Sequence, residues 1–207
     1  MREQALFIAG PVGNLEALYL PQEDAKGIAL ICHPNPVKGG TMQNKVVSTL
    51  QRTARDAGLT TLRFNYRGVE QSAGNHDMEQ GEVDDAQAVF NWFRQQHPDM
   101  PIYLLGFSFG GFVAGALSAR LEQQGIATKT LMMIAPAFYR LDMNHPFCRT
   151  AQTTVIQPEQ DEVIEPKSVY AWSDQLKLPH ELIKVADCSH FFHGYLADLK
   201  SLVAARL

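Results

Sequence analysis

The apolar positions of this chain fall into two patterns that alternate along its length. One is the short, uninterrupted run of a strand covered on both faces, seen in Gly27-Ile28-Ala29-Leu30-Ile31-Cys32 and in Ile102-Tyr103-Leu104-Leu105. Further strands are predicted at Leu59 to Asn65, Thr128 to Ala135, Thr153 to Gln157 and His180 to Ala186. The other pattern has helical spacing. Val46, Val47, Leu50 and Ala54 share one face of a helix over Asn44 to Ala57, with Gly58 as its stop. Val83, Ala86, Val89, Phe90 and Phe93 do the same over Glu79 to Gln96. There, Glu82, Asp84 and Asp85 sit near the start, where the helix dipole favours acids, and Pro98 and Pro101 close it. Phe112, Val113, Leu117 and Leu121 mark a third helix, and Pro166 to Leu176 and Phe191 to Leu207 predict two more. Before all of this, residues 4–9 and 13–20 flank Gly10-Pro11-Val12-Gly13 and read as an antiparallel hairpin.

Strands that alternate with helices predict an α/β fold: a mainly parallel sheet of about seven or eight strands, helices on both faces and an antiparallel hairpin at the front. A chain of 207 residues with 45% hydrophobic content fits one domain over 1–207. In such sheets the active site lies beyond the carboxyl ends of the strands, so every candidate residue is expected just after a strand.

The stretch that meets this condition best is Gly106-Phe107-Ser108-Phe109-Gly110-Gly111. It is a G-x-S-x-G between a buried strand and a helix, where the glycines permit a turn sharp enough to expose the serine hydroxyl. Ser108 is the predicted nucleophile. A phosphate-binding loop is excluded, because no Lys precedes a Ser or Thr at the helix start. A serine hydroxyl needs a base at neutral pH. Of seven histidines, His33, His190 and His193 follow strands closely. His33 is placed to shape the site, His190 lies in the loop straight after the last strand, and His193 falls on the expected closing helix. His190 is the favoured base, with His193 as the alternative. The acid that orients the imidazole is Asp161, in the loop after the preceding strand, which gives the chain order Ser, Asp, His. Glu159, Glu162 and Asp187 are its competitors. The oxyanion donors are expected at the backbone N–H of Phe109 and at Asn35, since Pro34 and Pro36 have no N–H to offer.

Together these residues resemble the α/β-hydrolase superfamily, and within it the small lidless bacterial serine hydrolases related to dienelactone hydrolases and carboxylesterases. The resemblance covers nearly the whole chain. It rests on His33-Pro34-Asn35-Pro36 with Gly39-Gly40-Thr41-Met42 and Asn44-Lys45, on Arg63-Phe64-Asn65-Tyr66-Arg67-Gly68 with Ser72 and Gly74, on the serine turn, and on Ser189-His190-Phe191-Phe192. It implies a triad of Ser108, Asp161 and His190 and a reaction through an acyl-enzyme. Dienelactone hydrolases carry cysteine where this chain has Ser108, which points towards simple esters. Family members often insert a helical lid after the strand that here ends near Ala135. The fifteen residues from Pro136 to Thr150 are too few for one. An open site lined by Phe109, Met42, Phe138, Tyr139 and Phe147, suited to small or short-acyl esters, is therefore expected.

Charge and composition narrow the partners. A net charge of −4 without any Lys/Arg run gives no attraction to nucleic acid or to an anionic membrane. No apolar stretch reaches membrane-spanning length, and the opening residues hold too short an apolar run for a signal peptide. Cys32, Cys148 and Cys188 form neither a disulfide framework nor a zinc knuckle and fit a reducing cytoplasm. The partner is a small-molecule ester, with no metal and no cofactor. The oligomeric state is not written in these residues. An acyltransferase or peptidase on the same triad, or an idle fold used to bind ligands, are the other readings.

Overall fold

The computed structural model describes residues 2–77 and 80–207. Eight strands form one sheet in the order β1-β2-β4-β3-β5-β6-β7-β8. The opening hairpin is β1 (Gln4–Gly10) and β2 (Gly13–Leu20), and β2 continues antiparallel onto β4 (Thr60–Phe64). From there the pairing is parallel, through β3 (Ile28–Cys32), β5 (Ile102–Phe107), β6 (Thr130–Ile134), β7 (Gln152–Pro158) and β8 (Glu181–Val185).

The continuous apolar runs are explained by two cores, one on each face. Successive strand residues point to opposite faces, so Ile28, Leu30, Leu104 and Met133 join α2 (Gln80–Gln96) and α3 (Phe109–Gln123) on one side. Ala29, Ile31, Leu105 and Met132 join α1 (Lys45–Asp56) and α5 (Leu196–Ala204) on the other. The remaining helix, α4 (Pro166–Gln175), packs beside β7. Asn44 opens α1 as its cap, its Oδ1 accepting from Val46 N–H at 2.8 Å. The predicted helix start at Glu79 lies outside the described residues.

One boundary moves by several residues. The closing helix starts at Leu196, not at Phe191, because Phe192 and Gly194 both take positive φ (54° and 81°) and turn the chain before the helix begins. His193 therefore lies in that turn and not on the helix. Among the described residues, no helix is long and apolar enough to cross a membrane.

The loop after β4 is fixed by a buried ion pair. The Arg67 guanidinium donates to both carboxylate oxygens of Asp85 on α2, at 2.8 and 3.0 Å, and its backbone N–H adds a third bond at 2.9 Å. Nearby, Ser72 Oγ donates to Asn65 O at 2.7 Å and accepts from Glu16 N–H at 2.9 Å. These contacts account for much of the Arg63 to Gly74 motif as scaffolding.

Candidate active site

The strand-to-helix turn after β5 is built on close backbone contacts. A Cβ at Gly106 would stand 1.9 Å from Gly110 O, and one at Gly110 would stand 2.2 Å from Cys32 O. Only glycine fits at either place. The serine between them sits at φ 56°, ψ −119°, a conformation that L-residues rarely hold, and its N–H is anchored to Ile134 O at 2.8 Å. The turn thereby presents Ser108 at the carboxyl end of β5, where it is only 6% exposed.

His190 arrives from the loop after β8. Its Nε2 lies 3.1 Å from Ser108 Oγ and its Nδ1 lies 2.8 Å from Asp161 Oδ2. A carboxylate only accepts, so Nδ1 carries the proton and Nε2 turns its lone pair to the serine hydroxyl. The rings of Phe107 and Phe191, with centroids 4.9 and 5.0 Å away, hold the imidazole in place. Asp161 is buried in the loop after β7. Its Oδ1 accepts from the N–H groups of Val163 and Ile164, at 2.9 and 2.7 Å, and its Oδ2 also accepts from Gln157 Nε2 at 3.0 Å. Burial alone raises a carboxyl pKa, but the His190 bond and these two N–H donors outweigh it and hold Asp161 below its usual range.

The competing acids do other things. Glu162 accepts from the backbone N–H of His190 at 3.1 Å, Asp187 accepts from Gln160 Nε2, and Glu159 is exposed. His33 is fully buried and bridges two loops: Nδ1–H donates to Pro34 O at 2.7 Å, and Nε2 accepts from Tyr66 N–H at 3.2 Å. Burial lowers its pKa to about 3, against a smaller opposing effect of the Pro34 bond, so this imidazole is neutral. The Tyr66 ring packs against His33 on one side and edge-on against Phe109 on the other.

Above Ser108 lies a cavity of about 300 Å³. Asn35 and Phe109 both line it, and among the described residues neither backbone N–H is engaged in a hydrogen bond. Asn35 heads a short 3-10 turn, Pro36–Lys38, in which its side chain accepts from Val37 N–H and its carbonyl accepts from Lys38 and Gly40.

The expected pocket needs correction. Phe109 and Tyr139 line the cavity, but Met42, Phe138 and Phe147 do not. Met42 is tied back to the β4 side by Asn65 Oδ1 and Arg63 Nη1. Phe138 stacks on Trp172 of α4 at 3.7 Å, and Phe147 is buried between Trp172 and His180. In their place stand Lys38, Arg140, Val163, Ile164 and Phe191, none of which was singled out for the pocket. Val163 and Ile164 were within reach of sequence reasoning, since the residues that donate N–H groups to a loop carboxylate also sit beside it. Arg140 carried no such signal.

The model for the alpha/beta hydrolase fold matches residues 29–148, more than half of the chain. The protein is an α/β-hydrolase. Two solved α/β-hydrolase structures resemble it over nearly their whole length. A serine hydrolase without a lid from Xanthomonas campestris is 38% identical, with 99% of this chain and 93% of that one aligned at a TM-score of 0.89. A serine hydrolase homologue from Coxiella burnetii is 35% identical, with 100% and 98% aligned at a TM-score of 0.90. A Rickettsia prowazekii protein is 31% identical over 199 residues, 90% of this chain and 81% of its own length. The lidless character agrees with this α/β-hydrolase's own architecture: between β6 and β7 there is room only for a short turn, Phe138–Arg140, and loop.

Proposed function

We propose that this hydrolase cleaves small carboxylic esters through an acyl-enzyme. In this reading Ser108 is the nucleophile, His190 the general base, Asp161 the acid that holds it, and the N–H groups of Phe109 and Asn35 the oxyanion donors. The observation that carries it is the buried chain from Ser108 Oγ through His190 to Asp161, with links of 3.1 and 2.8 Å, on the floor of a cavity. Such a chain supplies both an activated nucleophile and a tautomer-fixed base.

In this reading the steps run through those residues. Ser108 Oγ attacks the ester carbonyl as its proton passes to His190 Nε2, and the imidazolium is stabilised by the Asp161 carboxylate. The carbonyl oxygen becomes an oxyanion facing the two N–H donors. Collapse breaks the bond to the alcohol oxygen, which leaves with the proton from His190. Water then adds to the acyl-serine as its proton passes to His190, and collapse breaks the bond to Ser108 Oγ, which takes that proton back from His190 as the acid leaves. Every atom in the scheme comes from the chain, the ester or water. The small cavity and the absence of a lid support short acyl groups. The three buried cysteines, none in a disulfide, support an enzyme working in a reducing cytoplasm.

A fluorophosphonate probe, with the modified residue located by peptide mass spectrometry, tests the reading. Labelling is expected at Ser108 and is expected to vanish in Ser108→Ala and in His190→Ala, with turnover of 4-nitrophenyl acetate down by about 10³-fold or more in each. Labelling elsewhere, or unchanged turnover in either folded variant, would falsify the assignment.

A further inference from the structure

The cavity above Ser108 shares its Arg140 wall with two neighbouring cavities. Beyond Arg140 lies a second cavity of about 300 Å³ bounded by Gln80, Phe112, Tyr139 and Arg140. Beyond that, a third of about 240 Å³ runs along the cleft between α2 and α3, past Val83, Ala116 and Arg120. Among the described residues, Arg140 is the one common to all three. We propose that Arg140 is the partition that sets the length of acyl chain this site accepts, and that removing its bulk joins the Ser108 cavity to the trench behind it. The inference rests on the ester reading above.

Arg140 is placed and held for such a role. It ends the turn Phe138–Arg140, and its N–H donates to Ala137 O at 3.1 Å, which fixes where the side chain starts. Its guanidinium lies over the Phe109 ring at 5.4 Å and over the Tyr139 ring at 5.3 Å, within cation–π range of both. The chemistry decides which part of the substrate meets it. His190 must reach the leaving oxygen, so the alcohol belongs beside His190 and Phe191. The acyl chain then extends on the side of Phe109, where Arg140 stands. A chain that grows past the first cavity meets the guanidinium. The exposed Tyr139 ring, which lines both the first and the second cavity, offers apolar surface to a longer chain once the barrier is shortened.

The test uses 4-nitrophenyl acetate and octanoate with wild type, Arg140→Ala and Arg140→Met, and reads the octanoate-to-acetate ratio of kcat/KM. Arg140→Ala is expected to raise that ratio by about tenfold or more, since even single methylenes in a pocket are discriminated on that scale. Arg140→Met keeps much of the length without the charge, so its ratio is expected to stay near that of wild type. Arg140→Ser serves as a second shortened variant if alanine is not tolerated. An unchanged ratio in the shortened variant overturns the proposal, as does a folded shortened variant with no acetate turnover. Arg140→Met shifting as far as Arg140→Ala overturns it too, because charge and not bulk would then be the barrier. Wild type that turns over neither ester refutes the ester reading itself, which is a separate failure.

Discussion

At the scale of single residues, two buried histidines are used in opposite ways. His190 faces a carboxylate and a hydroxyl, whereas His33 faces only a carbonyl and a backbone N–H, with no acid to balance a charge. His33 therefore stays neutral down to about pH 3, while an unfolded histidine takes up a proton below about pH 6.5. Between those limits the unfolded chain binds more protons than the folded one. Stability attributable to this group is thus complete above pH 6.5 and falls as pH drops, by up to about 1.4 kcal/mol per pH unit. Urea melts at pH 7 and pH 5 are expected to show a shallower loss in His33→Gln than in wild type. His97, also lowered by burial, contributes alike to both. Equal losses in the two proteins would remove His33 as a source of acid sensitivity.

At the scale of elements, what could be read from sequence was whatever depends on neighbours along the chain. The continuous runs at Ile28 to Cys32 and Ile102 to Leu105 marked two-sided burial, and the glycines around Ser108 marked the sharp turn. Asp161 and His190 stand out in sequence because each follows its strand by a few residues, and the fold brings both together with Ser108. The pocket was not legible in the same way. Residues 136–150 have no period to say which side chain faces where, so Phe138 turning onto Trp172 and Tyr139 turning outward are decided by α4, far along the chain. The delayed start of α5 was hidden for a related reason, because positive φ at Phe192 is imposed by packing. The loop after β4 shows how elements are joined by more than apolar contact. Arg67→Met leaves Asp85 buried without its cation, and such a loss costs about 3–5 kcal/mol, or roughly 10 °C in Tm for a chain of this size. Scanning calorimetry is expected to show that fall, and Arg67→Met with Asp85→Leu is expected to recover most of it.

At the scale of the whole molecule, the sheet order distributes the candidate site unevenly. Ser108 follows β5, which is flanked on both sides by fully buried strands. Asp161 follows β7, and His190 follows β8, an edge strand of whose five residues three are only partly covered and two are exposed. An edge strand with little burial opens at lower free energy than the centre of a sheet. Ser108 and His190 are therefore expected to lie in regions that come apart at different denaturant concentrations. In a urea titration followed by ester turnover and by far-ultraviolet circular dichroism, turnover is expected to fail first, with the helix signal still near native. Hydrogen exchange is expected to place the early loss in β8 and its loop, while β3 and β5 stay protected. Coincident curves would mean that β8 opens only with the rest of the sheet. A site divided in this way is switched off by fraying at one edge of a fold that otherwise stays intact.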